Sequence, residues 1–352
     1  MTTALKVALS LGLTAVFLFL FLRNFEIAAA WESLRAGDAR LIAAAVAVNL
    51  AGLFVRAWRW RYLLAPVRRG VGMYNLSSTT FIGYMVSFLV PFRIGEVVRP
   101  VLLARRERVS VSGALATVAV ERVLDAITIL ALYLAFLMTA HGAGILTAAA
   151  AAAEGQGAGV FLRRAAFAGG LLVVLALPVL LAVVYRPQPF LRGLHRLHGR
   201  IHAGLAARII EAAEKFVEGL GVVKHGRDLA RALGLSLLTW LIIDLNAWVV
   251  FRAFDLPLRF LDTFLFMVPH AVGIAVPTPG GVGAYEYLAQ VSLSGFWNVA
   301  PAQAAAVALT LHAVVVLPII AVGLIFMWRD GLHAADVRGL AARAAAPRGG
   351  RA

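Results

Sequence analysis

"SFLVPFRIGEVVRPVLLARR", residues 87 to 106, decides how this chain is read. It begins as an apolar run, breaks at Pro91, and then brings in Arg93, Gly95, Glu96 and Arg99. Around it lies a chain that is 61% hydrophobic and 14% charged, where soluble domains are nearer half apolar and a quarter charged. Long apolar runs recur from end to end. The fold class is therefore an all-α polytopic membrane protein, not a soluble domain with an anchor. A proline, an arginine and a glutamate at bilayer depth need a reason.

Full spans are expected at 4–22, 39–56, 112–138, 165–185, 230–252 and 302–327, each near the 20 residues a bilayer requires. The run at 5–22 is long for a signal peptide and is followed by Arg23 and Glu26, so it reads as a retained first span. Two further apolar segments, 74–106 and 262–297, are interrupted and read as broken re-entrant hairpins. The net charge of +15 comes almost entirely from arginine. Its distribution places the N- and C-termini in the cytoplasm, because the segments 56–72, 99–108 and 186–228 and the tail hold most of the basic residues. Within 56–72, "RAWRWRYLL" reads as an anchor at the inner interface. The segment 186–228 reads as an amphipathic helix on the inner surface. "AGILTAAAAAAEGQGAG" reads as an outer loop or frayed helix end, and residues 329–352 as a disordered cytoplasmic tail. Residues 1–328 then form one transmembrane domain with halves at about 1–140 and 160–328.

The second interrupted segment, "VPHAVGIAVPTPGGVGAYEYLAQ" (268–290), breaks at Pro277 and Pro279 and carries Gly280 and Gly283. Pro91 and Gly95 match Pro279 and Gly283 in a P-x-x-x-G spacing. At an offset of 190 residues Glu96 falls on Glu286, and Arg122 falls on His312. Each half then holds two spans, a broken hairpin and a polar-bearing span, which is the inverted-repeat plan of many transporters. Broken helices are tolerated at membrane depth only inside protein or beside a watery cavity. Helices that restart after such breaks are expected to aim free N–H groups into that cavity and attract anions.

"TVAVERVLDAITIL" (117–130) puts Glu121, Arg122 and Asp125 inside an apolar helix, with Glu121 and Asp125 on one face at i, i+4. Charges there cost roughly 2.5 kcal/mol or more each on insertion scales, so they must face partners or a cavity. Either they neutralise one another and hold the bundle together, or Arg122 serves as a lipid-headgroup ligand. His270, His312, Asp244, Asn246, Tyr285 and Tyr287 are polar positions within apolar helices. For each, plain packing or interhelical hydrogen bonding competes with a binding role. The chain has no cysteine, no H-E-x-x-H, no G-x-S-x-G and no phosphate loop, so no metal, cofactor or catalytic residue is assigned. The basic residues lie in short loops without a nucleic-acid module, which argues against nucleic acid as a partner.

"VPFRIGEVVRPVLLARRERVSVSGALATVAVERVLD" and "PTPGGVGAYEYLAQVSLSGFWNVAPAQAAAVALTLHAVVVLP" resemble the lysylphosphatidylglycerol synthase transmembrane, or flippase-like, family. The resemblance implies a bacterial inner-membrane protein that handles an anionic phospholipid or a polyprenyl-linked lipid. In two-part members this region moves aminoacylated phosphatidylglycerol between leaflets, while a soluble domain performs aminoacyl transfer. No stretch here reads as that soluble domain, so a separate lipid-synthesis enzyme is a possible partner, and a membrane subunit of such an enzyme or a non-catalytic scaffold are the alternatives. Carried over by position, Arg93, Glu96, Glu121, Arg122 and Asp125 match the first motif, and Pro279, Gly280, Gly283, Glu286 and His312 the second. With Arg99, the charged and histidine positions form the expected headgroup site. Pro91, Gly95, Pro277, Pro279, Gly280 and Gly283 form the expected helix breaks.

Overall fold

A computed structural model describes residues 3–23, 27–152 and 226–333, with a few isolated positions besides. The expected span at 165–185, nearly all of the segment 186–228 and most of the tail lie outside the described residues. Among those described, every element is helical: α1 (Thr3–Leu22), α2 (Ile27–Ala36), α3 (Ala39–Leu63), α4 (Met73–Leu89), α5 (Gly95–Glu107), α6 (Val111–Leu137), α7 (Ala140–Ala152), α8 (Gly226–Ala253), α9 (Asp262–Ala275), α10 (Ala284–Trp297) and α11 (Pro301–Arg329).

Three of these, α3, α8 and α11, are long and apolar enough to cross a membrane, and α6 with the start of α7 makes a fourth if that bent pair is one span. The expectation of six full spans is thus met only in part. The apolar part of α1 is short, and α6 carries Glu121, Arg122 and Asp125 at its middle. The described part of "AGILTAAAAAAEGQGAG", read as an outer loop or frayed helix end, is helix rather than loop. Through Ala152 it is helical, as part of α7, which leaves α6 at an angle of 85°.

The ends of the elements follow local chemistry. Asp38 caps α3 by accepting from the N–H groups of Arg40 and Leu41. Ser110 caps α6 through Gly113 N–H, and Pro301 opens α11, where a missing N–H costs nothing. α5 and α10 end alike, on Arg108 and Asn298 in the left-handed conformation (φ 53° and 52°).

Both interrupted segments are antiparallel hairpins. In the first, Gly95 lies against Gly83 and Ser87, Arg99 against Gly83, Arg106 against Ser78 and Asn75 against Glu107. In the second, Gly273 meets the backbone of Ala284 and Tyr285. Each turns through a short 3-10 segment, Pro91–Arg93 and Pro279–Gly281. The open end of the first hairpin adjoins the end of α11, where Tyr74 and Arg106 bond Asp330. The second opens toward the other end of the bundle, where His141 bonds Asp262 at 2.7 Å. The two tips meet at mid-bundle, where Gly280 comes so close to the Phe88 carbonyl that a Cβ there would lie 2.9 Å from it. Only glycine tolerates both that approach and φ 63°.

The matching registers change along each unit. Pro279 follows Pro91 by 188 residues, whereas Pro301 follows Val111 by 190. One extra residue separates the second tip from α10, and α10 is one residue longer than α5. Glu96 therefore occupies the second position of its helix and Glu286 the third.

Packing around the hairpins is close. Ala304, Ala305, Ala306 and Ala308 of α11 are wholly buried, the small-residue contact surface that lets helix backbones approach without a strong hydrophobic drive. Phe19, Leu317 and Trp328 are instead exposed, as on a lipid-facing surface.

Candidate functional site

The centre of the bundle holds a charged cluster built from four helices. Glu121 of α6, with no exposed surface, is its hub: it accepts from Arg99 of α5 at 3.1 Å and from Arg122 at 2.5 Å, and forms an ion pair with Arg59 of α3 at 3.1 Å. One turn further, Asp125 accepts from Arg59 at 2.6 Å and from the Trp240 indole at 3.0 Å, and forms an ion pair with Arg122 at 3.2 Å. Arg99 lies 3.9 Å from the centre of the Trp60 ring, a cation–π contact that shields it. Arg93, at the tip of the first hairpin, pairs with Glu96 at 2.6 Å, and Arg122 lies 3.7 Å from the same carboxylate. Phe92 and Arg93 both have positive φ, 63° and 51°. For side chains of this size that is a strained turn, held by the surrounding packing.

Beside the cluster lies a cavity of about 300 Å³. Arg56, Arg93, Arg122 and Asp125 line it with Tyr84 and Trp240, and Arg56 donates to the Tyr84 hydroxyl at 2.6 Å. Its other walls are mostly apolar, from Leu53, Phe88, Ile242, Ile243, Ile274 and Val315, with Asn49, Asn246 and His270 among them. Thr278, Gly280 and Gly281 bring the second tip to its edge.

The structure thus joins Arg93, Glu96, Arg99, Glu121, Arg122 and Asp125 in one network, with only Arg93, Arg122 and Asp125 on the cavity wall. Glu286 and His312 lie elsewhere. Glu286 accepts the Gly283 N–H at 2.8 Å, and its other oxygen bonds His312 Nδ1. His312 Nε2 donates to the Gly280 carbonyl at 2.9 Å, so the contact with Glu286 needs one more proton between the two groups. The pair ties the second tip to α11. Pro277 also serves structure, since its carbonyl accepts from Ser10 of α1 at 2.6 Å.

The helix starts differ from expectation. Neither Gly95 nor Gly283 lines the cavity. Gly95 is sealed against Gly83 and Ser87, and the α10 start is capped by Glu286 and covered by the backbone of Thr14, Phe17 and Leu18. Side chains, not free N–H groups, supply the positive face.

The expected span at 39–56 stops short of the helix that carries it. α3 continues to Leu63, so Arg56, Arg59 and Arg61 belong to the helix rather than to a loop. Arg59 and Trp60 have no exposed surface. A signal was present: Arg56 and Arg59, at i, i+3, share a helix face and complement the i, i+4 carboxylates Glu121 and Asp125. Asn246, by contrast, makes the interhelical bond that was one of its two readings, donating to the Ala45 carbonyl at 2.6 Å. Asp244 is buried beside Thr263 of α9.

The profile of the family described as the lysylphosphatidylglycerol synthase TM region matches residues 4–323. The chain belongs to that family. It is 27% identical over 293 residues to a Haloferax volcanii protein named glycosyltransferase AglD, a match covering 79% of this chain but 47% of that one. It is 28% identical over 274 residues to a UPF0104 membrane protein of Methanothermobacter thermautotrophicus, covering 74% of each. A second UPF0104 membrane protein from the same organism is 24% identical over 294 residues, covering 78% of this chain and 81% of the relative. The chain thus spans about half the length of the first of these relatives. Family and apolar helices together make this a multi-pass membrane protein.

The open end of the first hairpin gives a measurable pH response. Burial alone would raise the Asp330 pKa above its ordinary 3.8, but bonds from Ser78, Tyr74 and Arg106 outweigh it and hold the group lower. A carboxylate depressed in the folded state stabilises it above pH 3.8, and that share is lost as pH falls below 3.8 through the folded value. Asp330→Asn should therefore lower the melting temperature at pH 7 and narrow its gap from the parent protein below pH 3.8. An unchanging gap across that range would remove Asp330 from the account.

Proposed function

We propose that the chain binds the anionic headgroup of a membrane lipid in the central cavity and carries it between leaflets. One observation carries this reading: three arginines, Arg56, Arg93 and Arg122, face a largely apolar cavity of about 300 Å³ between the hairpin tips, against one carboxylate, Asp125. Guanidinium groups form paired hydrogen bonds to phosphate oxygens, and a cavity of this size holds a small headgroup. The apolar walls suit the start of the lipid tails.

The two hairpins enter from opposite ends of the bundle and are each tied to the next long helix, Glu96 to Arg122 and Glu286 to His312. Related hairpins arranged in this way support an inverted repeat, the plan that gives alternating access by rocking one unit against the other. The reading places the protein in a bacterial inner membrane with both termini cytoplasmic. Phospholipid or polyprenyl-linked lipid is the cargo class, and a lipid-synthesis enzyme the candidate partner.

Reconstituted vesicles test it. Arg122→Gln should lower headgroup translocation at least tenfold while the protein stays inserted and monodisperse. Undiminished translocation by that variant would defeat the proposal. A second reading, the membrane part of a lipid-modifying enzyme, is favoured by the match to a glycosyltransferase-named protein over 47% of its length. It requires product formation when the purified chain is given lipid and an activated donor.

A further inference from the structure

The charges around the cavity bear on which headgroup it accepts, an inference that rests on the headgroup-site reading. Five guanidinium groups, of Arg56, Arg59, Arg93, Arg99 and Arg122, stand with three carboxylates, of Glu96, Glu121 and Asp125. Arginine keeps its proton in proteins, so the excess is two positive charges. It is not spread evenly. Arg59 and Arg99 are buried and balanced by Glu121 and Asp125. Arg122 draws on the same two carboxylates, at 2.5 and 3.2 Å, and lies 3.7 Å from Glu96, which Arg93 holds at 2.6 Å, so Glu96 is the one carboxylate added for these two arginines facing the cavity. Arg56 has the Tyr84 hydroxyl and the Trp240 ring, 5.8 Å away, but no carboxylate partner among the described residues. The cavity lining repeats the count, with three arginines and Asp125.

Two unbalanced charges beside an apolar wall are costly unless something neutralises them. A phosphate diester brings one negative charge. A phosphate monoester brings close to two above its second ionisation near pH 6, with three terminal oxygens for three arginines. We propose that the cavity selects a lipid ending in a phosphate monoester, a dianion, over lipids whose phosphate is a diester.

The test compares phosphatidic acid with phosphatidylglycerol of identical acyl chains. Each is titrated into the full-length protein in phosphatidylcholine nanodiscs, and bound lipid is counted by native mass spectrometry. At pH 8 phosphatidic acid should bind about tenfold more tightly, the worth of one further charge-assisted contact. At pH 5 the preference should fall to about twofold or less, as the monoester drops to one charge. Other titratable groups facing the cavity do not imitate this. Arginines do not titrate. His270 on α9, if it gains a proton, adds positive charge and strengthens anion binding. Protonation of Asp125 on α6, or of Glu96 on α5 beside the cavity, would do the same, and loss of the Tyr84 proton on α4 at high pH would weaken anion binding there rather than strengthen it.

Equal binding of the two lipids at pH 8 overturns the monoester inference and leaves the headgroup site standing. Binding of neither overturns both. Inorganic phosphate at the same concentration should not displace phosphatidic acid; full displacement would mean that the site takes free phosphate and that the lipid part is wrong. Arg56→Gln removes one unbalanced charge and should reduce the preference. The comparison on the parent protein stands whether or not that variant folds.

Discussion

Glu121→Gln should destabilise the protein by about 3–5 kcal/mol, the usual cost of removing one partner from a buried ion cluster. Three arginines converge on Glu121, and two of them, Arg59 and Arg99, are almost entirely buried. Without its charge, Arg59 and Arg122 compete for Asp125, and Arg99 keeps only the Trp60 ring. The measurement is thermal unfolding in detergent, where the loss should amount to a fall on the order of 10 °C. A paired replacement separates this cause from general damage. Arg99→Met with Glu121→Leu removes both charges and leaves Arg59 on Asp125. Well-packed apolar side chains can replace a buried pair at little cost, so the double variant should recover most of the stability. A double variant as unstable as Glu121→Gln, or a Gln variant within about 2 °C of the parent protein, would show that the cluster does not hold the bundle together.

Gly95→Ala should cost about 1–3 kcal/mol or more and reduce transport with it. An added Cβ would run into the Gly83 carbonyl and would lie 2.6 Å from the Ser87 amide nitrogen. Those are backbone atoms and cannot turn aside. The limbs of the first hairpin would have to part, shifting Arg93 and Glu96 away from Arg122. Gly12→Ala provides the control. It lies in α1 with nothing near its added Cβ, and alanine is the better helix former by roughly 1 kcal/mol, so it should be neutral or stabilising. Tolerance of both substitutions would mean that the hairpin does not depend on this contact.

The pattern of hydropathy and breakers was legible in the chain itself. Apolar runs near 20 residues announced the long helices, because lipid requires backbone bonds to close within a helix or barrel. Pro91, Gly95, Pro279 and Gly283 marked both breaks, and the helices resume at Gly95 and Ala284. Glu121, Arg122 and Asp125 were recognisable as a cluster because three charges in an apolar helix need a partner nearby.

Which partners they found was decided in three dimensions. Arg59 comes from a helix more than 60 positions earlier and Trp240 from one 115 later, and no local period links either to Asp125. Glu286 and Glu96 look alike in sequence, yet one caps a helix beside His312 and the other holds two arginines. The difference comes from one additional residue at the start of α10, which puts its carboxylate at the third position, in reach of the Gly283 N–H. Sequence by itself determined where the chain is apolar, where it breaks and where charge enters the bundle, since these depend on each residue's own solvation and backbone. Tertiary structure decided which charges neutralise one another and which are left facing the cavity, because ion pairing at bilayer depth depends on distances between helices that neighbours in sequence do not set.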